Sequence, residues 1–176
     1  EIKTLSPPIQ FEVVPLRERA LPGSSSGEAA AFWRSYEVSV RTSTAVSQSL
    51  RTELARVDAM QKALSRATVA PGELDERLSD LRVALQGIED ELYGNRAKRQ
   101  VGVKRRPTIE SRLDSVELGA YRSTYGPTDT MRKSLEIINA QIQQVKSNLE
   151  KAHADAATLG EDLLQAGAPW VEGSPL

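Results

Sequence analysis

The chain has 176 residues, 39% of them hydrophobic but only 5% aromatic, and its 23 basic side chains nearly balance 24 acidic ones. That length fits one domain with a thin aliphatic core, and a net charge of -1 gives no wholesale attraction to nucleic acid or to an anionic membrane. The lack of cysteine excludes a disulfide framework and thiolate metal sites, and no stretch approaches the roughly 18 consecutive apolar residues of a bilayer span.

The first residue is Glu1, with no charged-then-apolar leader after it, so the chain is expected to be a piece of a longer protein. Residues 1–22 lack any helical period. Ile9, Phe11 and Val13 alternate with Gln10 and Glu12 between Pro7-Pro8 and Pro15, which predicts a short strand. A lone strand of that length is unstable, so it is expected to end a sheet whose other strands lie upstream. Gly23 to Gly27, with three serines between, reads as the lead-in to a helical domain over 23–176.

A long helix is predicted over 28–67, with Tyr36, Val40, Val46, Leu50, Leu54, Val57, Met60 and Leu64 on one side. Ser43 and Ser47 interrupt that side, and Phe32, Trp33 and Tyr36 make an aromatic cluster near its start. Pro71-Gly72 forces a turn. A second helix follows over 73–93, where Leu74, Leu78, Leu81, Leu85, Ile88 and Leu92 step alternately by four and three. Glu73, Asp75 and Glu76 favour the positive end of its dipole, and Gly94-Asn95 supplies a left-handed cap.

Residues 95–106 read as a loop carrying the cations Arg96, Lys98, Arg99, Lys104, Arg105 and Arg106. Pro107 is expected to be the first residue of a short helix with Ile109, Leu113 and Val116 on one face, and 119–126 to be a loop containing Tyr121 and Tyr125. Pro127-Thr128 opens the last helix, predicted over 128–167. Its stripe runs Met131, Leu135, Ile138, Ile142, Val145, Leu149, Ala152, Ala156, Leu159 and Leu163 without a break in heptad spacing. Gly167 closes it and Pro169 prevents continuation.

The fold class that follows is all-α. It is an elongated up-down-up bundle of two long helices, a shorter middle helix and a short extra helix, with the extended segment in front. The middle helix covers only about half the length of its neighbours, and the short helix after Pro107 covers the remainder. In that topology the Thr128 end of the last helix meets the Glu28 end of the first, and Trp170 packs near Pro71-Gly72.

Little in the sequence carries chemistry. His153, the single histidine, sits between Ala152 and Ala154 and reads as a surface residue without convergent partners. Nucleophile elbows and glycine-rich phosphate loops are missing, so no catalytic, cofactor-binding or metal-binding residue is assigned and no cofactor is expected. The six cations at 96–106 are the candidate interaction site, able to neutralise phosphates but without an interleaved aromatic to stack on a base. Phe32, Trp33, Pro127, Gly167, Pro169 and Trp170 are assigned structural roles, Trp170 as a ring folded back over the helix end.

Several short segments, in order along the chain, resemble one known family. Gln10-Phe11-Glu12-Val13-Val14-Pro15-Leu16 is similar to the last strand of a β-sandwich. Leu21-Pro22 and Ala31-Phe32 resemble the segments that follow that strand. Pro107-Thr108-Ile109-Glu110-Ser111-Arg112, Pro127-Thr128-Asp129-Thr130 and Gly167-Ala168-Pro169-Trp170 resemble later motifs, the last departing as Val171-Glu172-Gly173. Together they resemble the helical C-terminal region of bacterial sortilin-like β-propeller proteins, the BNR-repeat or glycosyl-hydrolase-like class. The resemblance implies a secreted or cell-envelope parent in which residues 1–22 end an upstream β-sandwich and 23–176 form an accessory domain. Its expected partners are the propeller and sandwich of the same parent and a second copy of the domain, with nucleic acid disfavoured. No family catalytic residue falls in this chain, so the hydrolase label does not carry over. The expected function is a non-catalytic spacer or interaction module. The alternative is a basic-loop module that binds an anionic polymer, nucleic acid or acidic polysaccharide.

Overall fold

A computed structural model describes residues 6–14, 22–68, 70, 72–103, 106–121 and 125–169. The described residues are helical or irregular: α1 (Ser26–Leu64), α2 (Glu73–Tyr93), α3 (Arg96–Gln100), α4 (Ile109–Tyr121) and α5 (Asp129–Gln165). The bundle is all-α as the periodicity predicts, with α1 and α5 as its 39- and 37-residue members. Each long helix is roughly 55–60 Å from end to end at 1.5 Å per residue.

Side-chain capping fixes where both long helices begin. Ser25 accepts from the Glu28 backbone N–H at 3.2 Å while the Glu28 carboxylate accepts from the Ser25 backbone N–H at 2.8 Å. This reciprocal box satisfies two donors that a helix start leaves unpaired. At α5, Thr128 Oγ1 accepts from the Met131 N–H at 3.3 Å. The first helix therefore starts at Ser26 and ends at Leu64, two residues earlier and three earlier than the apolar period suggested. The last helix starts just after its cap Thr128 and ends at Gln165.

All ten stripe residues of α5 are buried, with Ile138 and Ala156 fully so. They meet the buried faces of α1 (Leu50, Val57, Met60, Leu64), α2 (Leu78, Leu81, Leu85, Ile88, Leu92) and α4 (Ile109, Leu113, Val116) in one continuous core. Burying each such large aliphatic side chain contributes about 1.5–3 kcal/mol before the entropy of ordering it. On α1, Val40 and Leu54 pack at the core's margin, whereas Ser39, Ser47 and Glu53 are buried.

Cross-helix bonds establish the directions. Ser39 Oγ donates to Asn139 Oδ1 at 2.6 Å and His153 Nδ1 lies 2.6 Å from Glu53 Oε1, so α1 and α5 run parallel. Tyr93 donates to Ser47 Oγ at 2.5 Å and Arg82 reaches Asp58 at 2.6 Å, so α2 runs antiparallel to α1. The Tyr36 hydroxyl contacts the Leu113 carbonyl at 3.3 Å, which places α4 beside the first half of α1. The middle strut is thus α2 and α4 in tandem, joined through α3.

The two ends match the expected pairing. At one, the Ser24 N–H donates to the Tyr125 carbonyl at 2.9 Å and Arg132 Nη2 donates to Ser24 Oγ at 3.2 Å. At the other, Arg77 pairs with Asp162 at 2.7 Å. Gly167, with φ of 72°, lies so close to Thr68 that an added Cβ would come within 2.5 Å of its hydroxyl. The expected contact of Trp170 with Pro71-Gly72 concerns residues 71 and 170, which lie outside the described residues.

Three local expectations are corrected. Residues 9–13 do not form a strand: with no second strand among the described residues to pair with, Ile9, Phe11 and Val13 are 82%, 84% and 82% exposed. The basic run is not a plain loop, since Asn95 Oδ1 accepts from the Lys98 N–H at 3.1 Å and starts the five-residue α3. Pro107 precedes α4 rather than opening it. Thr108 Oγ1 accepts from the Ser111 N–H at 3.2 Å, and the helix then runs on through Tyr121, which was expected in the loop.

Candidate functional site

The candidate interaction residues cluster at the joint in the middle strut. Gly94, with φ of 77°, ends α2, and its N–H donates to the Asp90 carbonyl at 2.8 Å. The chain then turns through α3 to Pro107. A shallow groove at this joint is lined by Asp90, Glu91, Lys98, Arg106, Thr108 and Gln141. Lys98 and Arg106 are exposed there. Lys104 and Arg105 lie outside the described residues, and of Arg96 and Arg99 the backbone alone is described. Two cations share their groove with two carboxylates, so the described part of the joint is of mixed charge rather than a uniform cationic surface. Gln141 reaches the same groove with a buried Oε1 that has no hydrogen-bond partner.

The aromatic cluster packs rather than presents a platform. Phe32 and Trp33 meet edge to face at 5.0 Å between centroids, and Trp33 and Tyr36 do so at 5.4 Å. The Arg132 guanidinium stands 5.9 Å from the Phe32 centroid, and Phe32 and Tyr36 are buried. Pro127 is buried at the same end, just before the Thr128 cap. At the other end Gly167 takes its close approach to Thr68, Ala168 is buried and Pro169 is exposed.

His153 is a surface residue, as expected, but it has a partner that local sequence does not announce. Its ring is 64% exposed, while Glu53, whose Oε1 it contacts, is 94% buried as a side chain. Glu53 Oε2 lies 3.9 Å from Arg56 Nη1 and makes no hydrogen bond. A lone imidazole and a lone buried carboxylate can hold two helices together. Among the described residues no group of three or more His, Asp or Glu side chains converges on a common point. No helix among them is long and apolar enough to cross a membrane.

The site and fold together define a helical bundle whose polar features join helices to one another. The chain matches no known protein-family model, no curated protein and no solved structure.

Proposed function

We propose that this chain is a non-catalytic helical accessory domain of a larger secreted or cell-envelope β-propeller protein of the sortilin-like, BNR-repeat class. It acts there as a spacer and interaction module. The observation that carries this reading is the segment before the bundle. Ile9, Phe11 and Val13 alternate with polar residues as an edge strand does, yet all three are more than four-fifths exposed. A pattern that serves no purpose in this chain is explained by a sheet contributed by the upstream β-sandwich of the parent. The bundle supports a spacer because its heptad stripes are buried in one core along a length of roughly 55–60 Å. Hydrogen exchange tests the reading: amides 9–14 should exchange freely in the 176-residue chain and become protected in the longer parent. Free exchange in both would overturn it.

The second reading, a basic-loop module for an anionic polymer, rests on the exposure of Lys98 and Arg106 at the joint. Asp90 and Glu91 in the same groove weigh against it. Binding to a heparin-like or nucleic-acid polyanion, measured across a salt series, separates the two readings. Contact through six cations predicts a logarithmic salt slope of about -4 to -5.

A further inference from the structure

Two polar contacts between α1 and α5 are spaced by two heptads of the coiled-coil stripe beside them. Arg132, Asn139, Lys146 and His153 occupy every seventh position of α5, along the edge that faces α1. Arg132 bonds Ser24, Asn139 bonds Ser39, and His153 bonds Glu53. The α1 residues opposite the last three positions are Ser39, Val46 and Glu53, all buried. Ser39–Asn139 and Glu53–His153 have the same sequence separation of 100 residues. They are two rungs of one register, two heptads apart.

A heptad stripe leaves that register weakly defined. Displacing α5 by seven residues, about 10 Å along its axis, puts Ile142 where Leu135 was, Val145 where Ile138 was and Leu149 where Ile142 was. Apolar packing resists the change mainly at Ala152 and Ala156, which exchange places with larger residues. The polar contacts distinguish the two directions. Displacement towards the Gly167 end would bring Lys146 to Glu53 and preserve a charge pair. Either displacement breaks the contacts of Tyr125 and Arg132 with Ser24 and Phe32, so these oppose both directions alike. Displacement towards the Ser24 end would set Gly160 opposite Glu53 and remove its hydrogen bond to His153, leaving Arg56, 3.9 Å away on α1 itself, as its nearest described charge partner. A buried carboxylate left without any hydrogen bond is costly even with a cation nearby.

We propose that Glu53 and His153 are positioning residues that form a one-way axial stop. They hold the register of α5 on α1 against displacement towards the Ser24 end, and contribute specificity more than stability. Buried polar groups in helical seams have this registry role elsewhere, and their apolar replacement is often neutral or stabilising.

The test uses the cysteine-free chain with spin labels on Ser49→Cys and Gln143→Cys, both exposed positions. In the native register the labels should give one narrow distance distribution. Glu53→Leu/His153→Leu should keep the melting midpoint at or above that of the parent chain and add a second population. Its labels should be farther apart, with axial separation increased by about 10 Å. Glu53→Met, which removes the carboxylate at similar volume, should add the same population. His153→Gln, whose amide can still donate to Glu53, should keep the single distance. An unchanged single distance in both apolar variants overturns the proposal, because packing alone then sets the register. A second population with shorter distances overturns it as well, since the stop would act in the other direction. Failure of both apolar variants to fold also overturns it, by making the pair a requirement of stability.

Discussion

Ile137 and Ile138 are adjacent on α5, yet the first is 44% exposed and the second is fully buried. Substituting each by alanine removes the same three carbons from the same helix and makes the same small change in helix propensity. The difference between the variants therefore isolates burial. At Ile138 the lost transfer energy is about 2.4 kcal/mol, at about 0.8 per carbon. The surrounding core cannot fully collapse, and the cavity it leaves raises the cost within the range of about 2–5 kcal/mol. At Ile137 no enclosed cavity is left, and the propensity gain of a few tenths offsets part of the lost contact, so the cost stays below about 1 kcal/mol. Urea unfolding followed by far-ultraviolet circular dichroism reads both values, and equal slopes for the two variants validate the comparison. Equal losses at 137 and 138 would refute the orientation of α5, and with it the assignment of the whole stripe to the core.

Other expectations follow from single features. Ser25→Ala should cost about 1 kcal/mol by removing the cap of α1, measured by thermal or urea unfolding. The backbone N–H and then the hydroxyl of Ser25 hold the Glu28 carboxyl below its ordinary value. That contribution is fully present above the ordinary carboxylate value and is lost as pH falls through the lowered one, so Glu28→Gln should lower stability at pH 7 and cost progressively less in acid. Gly126→Ala should destabilise clearly, because φ there is 88° and the new Cβ would stand 2.8 Å from the Ser24 Cβ. Gly119→Ala should be far milder, since its Cβ meets the mobile methyl end of Met131. Limited trypsin digestion should cut first within 96–106 and leave two pieces that stay associated, whereas first cuts inside α5 would contradict the bundle.

The sequence announces the elements that repeat. The α5 stripe was readable because ten apolar residues share one helical phase, and α2 runs over 73–93 as its period and flanking glycines predict. Tertiary pairing has no such local signal. Glu53 looks like any solvated glutamate until α5 brings His153 to it from 100 residues away, and Ser39 becomes a core residue only beside Asn139. The signal for both is present in α1, because Ser39 and Glu53 share the heptad position of the apolar Val46. The apparent strand at 9–13 marks the opposite limit: alternation describes a surface suited to a sheet, and no partner strand is described in this chain to complete one. The joint is visible in its charge, whereas the five residues of its short helix are too few to show a period.

The break between α2 and α4 also has a mechanical consequence. Two members of the bundle are single unbroken helices, and the third is spliced at Gly94 and Pro107. Bending that widens the splice stretches little hydrogen-bonded backbone, whereas bending the opposite way presses the ends of α2 and α4 together, and the continuous members strain in both. The domain should therefore behave as a strut with direction-dependent compliance, stiff along its length and softest about an axis that opens the α2–α4 seam.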